Sequence, residues 1–241
     1  MTKPLVIAHR GYSARYPENT IASYEAAIAM GADIIESDAR LSSDSVAFSC
    51  HDADFKRLLG DVRTVAEMTE AELKAIVLPD GSRPLLLEEV LEQISPFRKV
   101  LIDVKTQDAA IIDVVIADIR KTGALADVWV GVRDLNQARQ IKAAEPNVAV
   151  LAFLPDYTRA AEFAAAGATA FRVWEGHLGQ AAVQALFPRL PVWVTMGHME
   201  TPYCVGDTDP ERLAKVLALK PSGVLINDLS LMLPAPARDF D

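Results

Sequence analysis

Short apolar runs alternate along this chain with longer stretches in which apolar residues recur every three or four positions. The first run, residues 5–8, stops at His9-Arg10. Ala22, Ala26, Ala27 and Met30 then repeat at helical spacing up to Gly31, a residue suited to ending a helix, and residues 33–38 read as a strand. The same alternation predicts strands at 100–104, 128–132, 148–154, 169–173, 192–196 and 223–227. Helical patterns separate them at 108–121, 136–144, 158–166, 179–186 and 210–217. Strand and helix in strict turn imply a parallel sheet.

Eight such units in about 250 residues match the size of a (β/α)8 TIM barrel, and an open doubly wound sheet shares the same periodicity. The placement of polar residues favours the barrel. His9-Arg10, Glu36 and Asp38, Asp103 and Lys105, and Asn227-Asp228 all sit where predicted strands end, and a barrel brings those ends to one face. No linker or shift in composition divides the chain, so residues 1–241 are expected to form a single domain. Residues 52–89 are long for a strand-to-helix connection and are expected to fold over that face as an insertion after the second strand, with a short helix near 69–74.

Glu36 and Asp38 are one residue apart in a strand, so both point to the same face, and Asp103 and Lys105 repeat the arrangement. Carboxylates crowded together repel unless a cation joins them. The oxygen donors of Glu36, Asp38 and Asp103 suit Mg²⁺ or Ca²⁺, whereas zinc would want nitrogen or sulfur; ion pairs of Asp38 with Arg10 or Arg40, and of Lys105 with Asp38 or Asp103, are the structural alternative. His9 and His51 are the candidate general acid and base. Arg10 can fork onto phosphate or brace Glu18, and Asn19 is expected to cap the helix that follows. A metal site, an arginine, a lysine and two histidines together point to phosphoryl transfer, and the lack of a glycine-rich phosphate loop argues against a P-loop enzyme. His177 and His198 lie outside this cluster and are weaker candidates for contacting substrate.

The chain has 241 residues, of which 51% are hydrophobic and 24% charged, enough for a sizeable core, and its formal net charge is −9. That charge disfavours nucleic-acid binding and stable membrane association, both of which need clustered Lys and Arg. Met1-Thr2-Lys3-Pro4 runs straight into four apolar residues, too few for a signal peptide, and a cytoplasmic location is expected. Cys50 and Cys204 are too few for a disulfide framework, and Cys50 reads as a small buried hydrophobe. Oligomeric state leaves no trace in these patterns.

His9-Arg10-Gly11, Pro17-Glu18-Asn19-Thr20, Glu36-Ser37-Asp38, His51-Asp52 and Arg57, continued by Asp103-Val104-Lys105 and Asn227-Asp228, resemble the glycerophosphodiester phosphodiesterase family. The resemblance implies a TIM barrel with a small insertion after the second strand. It further implies hydrolysis of glycerophosphodiesters, small-molecule substrates, to an alcohol and glycerol 3-phosphate with a divalent cation. Carried over, Glu36, Asp38 and Asp103 hold the metal, His9 and His51 are the acid/base pair, Arg10 and Lys105 contact phosphate, and Glu18 supports the His9-Arg10 loop or the metal shell. Trp174, at the end of a strand, is a candidate for lining the choline or other head-group pocket through its ring face. Four departures stand out. Asp103 replaces a usual Glu, as in the related sphingomyelinase D-like barrels; Ser45 replaces a Gly where positive φ is expected; Leu58-Leu59 replace threonines; and Val194-Thr195-Met196-Gly197 replaces a Trp-Thr-Val-Asn element. A phospholipase D-like lyase that stops at a cyclic phosphate, and a non-catalytic barrel that binds phosphodiesters, are the competing readings.

Overall fold

The computed structural model describes residues 3–234. Eight parallel strands form its centre: β1 (Leu5–Ala8), β2 (Ile34–Leu41), β3 (Lys99–Val104), β4 (Val128–Val132), β5 (Ala149–Phe153), β6 (Ala170–Trp174), β7 (Val192–Thr195) and β8 (Gly223–Ile226). Each pairs with the next, and β8 pairs with β1, which closes the sheet into a barrel. Seven helices follow the first seven strands: α1 (Ile21–Met30), α2 (Leu87–Ile94), α3 (Ala110–Thr122), α4 (Leu135–Ala144), α5 (Ala160–Ala165), α6 (Ala181–Gln184) and α7 (Pro210–Ala218). The chain is therefore a (β/α)8 TIM barrel.

The strands are buried on both faces, which is why they read as continuous apolar runs. Ile7, Ile34, Leu101, Leu151, Phe153, Trp193 and Leu225 fill the barrel interior, where Trp193 meets the ring of Trp129 with centroids 4.8 Å apart. Their neighbours Val6, Ala8, Ile35 and Ile102 face outward and pack under the helices.

β2 is longer than its apolar pattern suggests. It runs past Asp38 to Leu41, where Arg40 and Leu41 pair antiparallel with the strand Ala47–Ser49, which in turn pairs with Leu85–Leu86. The apolar run before His51 is thus a hairpin arm on top of the barrel and not one of the barrel strands. The inserted segment has its own small core of Phe48, Cys50, Phe55, Val65, Met68 and Leu73. The short helix expected near 69–74 is present as Glu70–Lys74, and Thr69 caps it. Ser45 in the hairpin turn has φ 63°, the positive value expected there.

Asn19 does not cap α1. Thr20 does so, in a capping box with Ser23. Asn19 instead has φ 56° and turns its amide toward β2. The His9-Arg10-Gly11 loop lies on the same helix end: Ser23 Oγ donates to the Arg10 carbonyl, and a Cβ on Gly11 would sit 2.3 Å from that oxygen.

Candidate active site

β2 and β3 set the centre of the site. Asp38 and Asp103 are level across the sheet, and the two-residue period turns Glu36 inward beside them. Glu36, Asp38 and Asp103 are all buried and bring one carboxylate oxygen each within 4.8 Å of one another. Ser37, between them, points outward to the Tyr24 hydroxyl at 2.9 Å. Burial and the neighbouring Asp38 push the Glu36 carboxyl well above the usual range. Burial also opposes ionisation of Asp38, but Lys105 and Arg10 outweigh it and hold this group below the usual range. Asp103 is likewise disfavoured by burial yet held low by Lys105 and Arg133.

Surrounding groups grip this cluster closely. The Arg10 backbone N–H donates to Glu36 at 2.7 Å, and its guanidinium lies 3.0 Å from Glu18 and 3.5 Å from Asp38. Asn19 Nδ2 donates to Asp38 at 2.8 Å. Lys105 Nζ lies 2.9 Å from Asp38 and also contacts Asp103. Arg40, the other expected partner of Asp38, instead donates to the His51 carbonyl.

Hard oxygen donors in this number suit a divalent cation. Asp38 Oδ1 is buried and accepts no hydrogen bond, since the nearby Lys105 is out of line for one. A cation would satisfy that oxygen and relieve the repulsion that raises Glu36, so the residues fit the group.

Two histidines flank the carboxylates, each fixed at Nδ1. His9 Nδ1 lies 2.7 Å from Asn227 Oδ1, which also accepts from Ser13. Burial and Arg10 pull the His9 imidazole down to about 3, so it is neutral. His51 Nδ1 lies 2.7 Å from Asp52, which Arg57 binds in turn, and Arg57 also pairs with Glu18. Burial lowers His51 as well, with Asp38 and Asp52 resisting.

Of these groups His9, Arg10, Glu36, His51, Asp103 and Lys105 line a cavity of about 370 Å³ at the barrel mouth, together with Trp174, Thr195 and His198, while Asp38 lies beneath them. Glu18 and Leu58 line a narrower recess against His51, and Leu59 is exposed. His177 bonds to Tyr157 and is not among the cavity-lining residues.

Two cavity residues escaped the reading of the sequence. Arg133, just past β4, forks onto both carboxylate oxygens of Asp103 at 2.5 and 3.0 Å. Arg172, in β6, stacks over the Trp174 ring at 3.9 Å. The only signal of Arg172 in the sequence was a charge inside an apolar strand.

Residues 9–183 match the model of the glycerophosphoryl diester phosphodiesterase family. The chain belongs to this family. It is 33% identical over 122 residues to a glycerophosphodiester phosphodiesterase of Bacillus altitudinis, covering 45% of this chain and 46% of that one. It is 39% identical over 87 residues to a probable glycerophosphodiester phosphodiesterase 1 of Mycobacterium tuberculosis, covering 33% and 32%. The chain thus matches from about a third to just under half of the length of these curated relatives. A glycerophosphodiester phosphodiesterase structure from Thermotoga maritima superposes with a TM-score of 0.76 at 25% identity, covering 96% of this chain and 97% of the other. An Oleispira antarctica phosphodiesterase, solved with the product sn-glycerol-3-phosphate, gives 0.77 at 20% identity and covers 95% of each, and shows the shared fold.

Proposed function

We propose that this family member is a metal-dependent hydrolase of glycerophosphodiesters that releases an alcohol and glycerol 3-phosphate. One observation carries the reading: two histidines, each fixed at Nδ1, share one cavity with Glu36 and Asp103 of a buried carboxylate triad. The product named for the Oleispira antarctica structure agrees with it.

Glu36, Asp38 and Asp103 would hold Mg²⁺ or Ca²⁺, which when bound supplies positive charge to the phosphoryl oxygens. Because Asn227 Oδ1 accepts from Nδ1, His9 keeps its lone pair on Nε2, and its low affinity for protons leaves that nitrogen free. His9 is therefore the base that takes the proton of the glycerol 2-hydroxyl. That oxygen attacks phosphorus, and the bond to the alcohol oxygen breaks. His51 is the acid that protonates the leaving alcohol, since the Asp52 carboxylate stabilises its charged form. Water then opens the cyclic phosphate with the two roles reversed. Arg10 and Lys105 orient the phosphate oxygens, and Glu18 holds Arg10 and Arg57 in place.

The test is release of glycerol 3-phosphate from a panel of glycerophosphodiesters with Mg²⁺, with Ca²⁺ and with EDTA. Release should need the metal and should fall about 10²- to 10⁴-fold in His51→Ala. Accumulation of cyclic phosphate would convert the reading to a lyase. No product of either kind under any metal would overturn it.

A further inference from the structure

We propose that the side of the mouth formed by β6 and β7 binds an anionic group on the departing alcohol, so that the preferred substrates are glycerophosphodiesters whose alcohol carries a phosphate or carboxylate. The inference rests on the phosphodiesterase reading and names its substrate class.

Arg172 is 5% exposed, and its Nε and Nη1 have no hydrogen-bond partner among the described residues. No carboxylate forms an ion pair with it among the described residues, whereas both terminal nitrogens of Arg133 are held, by Asp103 and the Val104 carbonyl. A guanidinium stays charged when buried, and an unpaired buried charge is costly, so such a group needs a partner. Thr195 Oγ1 is a second orphan in the same cavity: it is buried without a hydrogen bond, on the strand next to Arg172. Two unsatisfied polar groups on neighbouring strands, both lining the open cavity, mark a place for a ligand's oxygens.

This place is the far wall of the cavity that holds the reacting centre. Going round the barrel, the carboxylates lie on β2 and β3 with Lys105 just past β3, and β6 and β7 lie opposite. The chemistry of the wall also selects against a cationic alcohol. Trp174 offers the ring face that would cradle a quaternary ammonium, but the Arg172 guanidinium already covers it at 3.9 Å. A choline there would meet a cation; a phosphate or carboxylate would meet donors waiting for it.

Glycerophosphoinositol and glycerophosphoinositol 4-phosphate form a matched pair that differs by one phosphate, and glycerophosphocholine supplies the cationic case. The wild type should favour the phosphorylated compound over its partner by about tenfold or more in kcat/KM, with choline the poorest. In Arg172→Gln the preference should shrink to within about twofold, mainly through KM, while Arg172→Lys keeps part of it. Thermal denaturation of each variant checks that it is folded. Binding of the same compounds to His9→Ala, followed by calorimetry with and without Arg172→Gln, reads the subsite without turnover. If no diester is hydrolysed but the binding preference persists and depends on Arg172, the hydrolase reading alone fails. An equal loss for all three compounds in Arg172→Gln, or a wild-type preference for choline, overturns the proposal.

Discussion

Asn227 fixes the His9 tautomer with its lone pair on Nε2, and that contact is held by a close backbone approach. Gly206 has φ +84°, and a Cβ there would lie 2.0 Å from Asn227 Oδ1 and 2.7 Å from His9 Nδ1. Gly206→Ala should therefore displace the imidazole, lowering kcat by tenfold or more, and cost about 1–3 kcal/mol of stability from backbone strain; steady-state kinetics and denaturant unfolding read the two effects. Asp118, on α3 away from the site, shows a different electrostatic cost. Burial, with Glu88 adding to it, raises its carboxyl to about 6, and Lys121 only partly opposes this. Its folded pKa is above the unfolded value, so the stability it contributes is present below about pH 4 and lost as pH rises through about 6. Asp118→Asn should gain about 1 kcal/mol at pH 8, a figure reduced for solvent screening of a half-buried group, and little at pH 4. Unfolding curves at the two pH values check the sign.

At the scale of elements, β2 does more than its apolar pattern announces. Its first half is a barrel strand carrying Glu36 and Asp38, and its last residues turn into a hairpin that brings His51 over the cluster. The hairpin turn places Ser45 at φ 63° with no side-chain hydrogen bond of its own. Ser45→Gly should then raise stability by about 1 kcal/mol, because a left-handed conformation costs an L-residue about that much; a shift of Tm upward by a few degrees is the readout. The cap of α1 shows why local reading misplaces a residue. Asn19 and Thr20 are both good caps by type, and only the position of Asp38, 19 residues on, decides that Asn19 faces the carboxylate.

At the scale of the whole molecule, the barrel gathers charges that are remote in the chain. Binding of a cation by Glu36, Asp38 and Asp103 stabilises only the folded state, since the triad exists only there. Mg²⁺ or Ca²⁺ at about 100 times its Kd should raise stability by about 2.7 kcal/mol, seen as a Tm increase that EDTA reverses and Glu36→Gln abolishes. No helix among the described residues is long and apolar enough to cross a membrane.

The alternation of apolar runs and helical spacing was enough to place the eight barrel strands and six of the seven helices between them, because strands buried on both faces must be apolar throughout and helices on a barrel must be amphipathic; the helix Leu87–Ile94 was hidden at the end of the inserted segment. The residues at the strand ends likewise carried Glu36, Asp38, Asp103, His9, His51 and Lys105 in plain view, since period two alone puts Glu36 beside Asp38. Closure and register were left to the tertiary structure. Arg133 reaches Asp103 across 30 positions of sequence, and Arg172 faces the same cavity from the opposite wall. Which distant cation finds a carboxylate and which is left unpaired depends on how the sheet closes and how its side chains are staggered around the mouth, and no local periodicity encodes either.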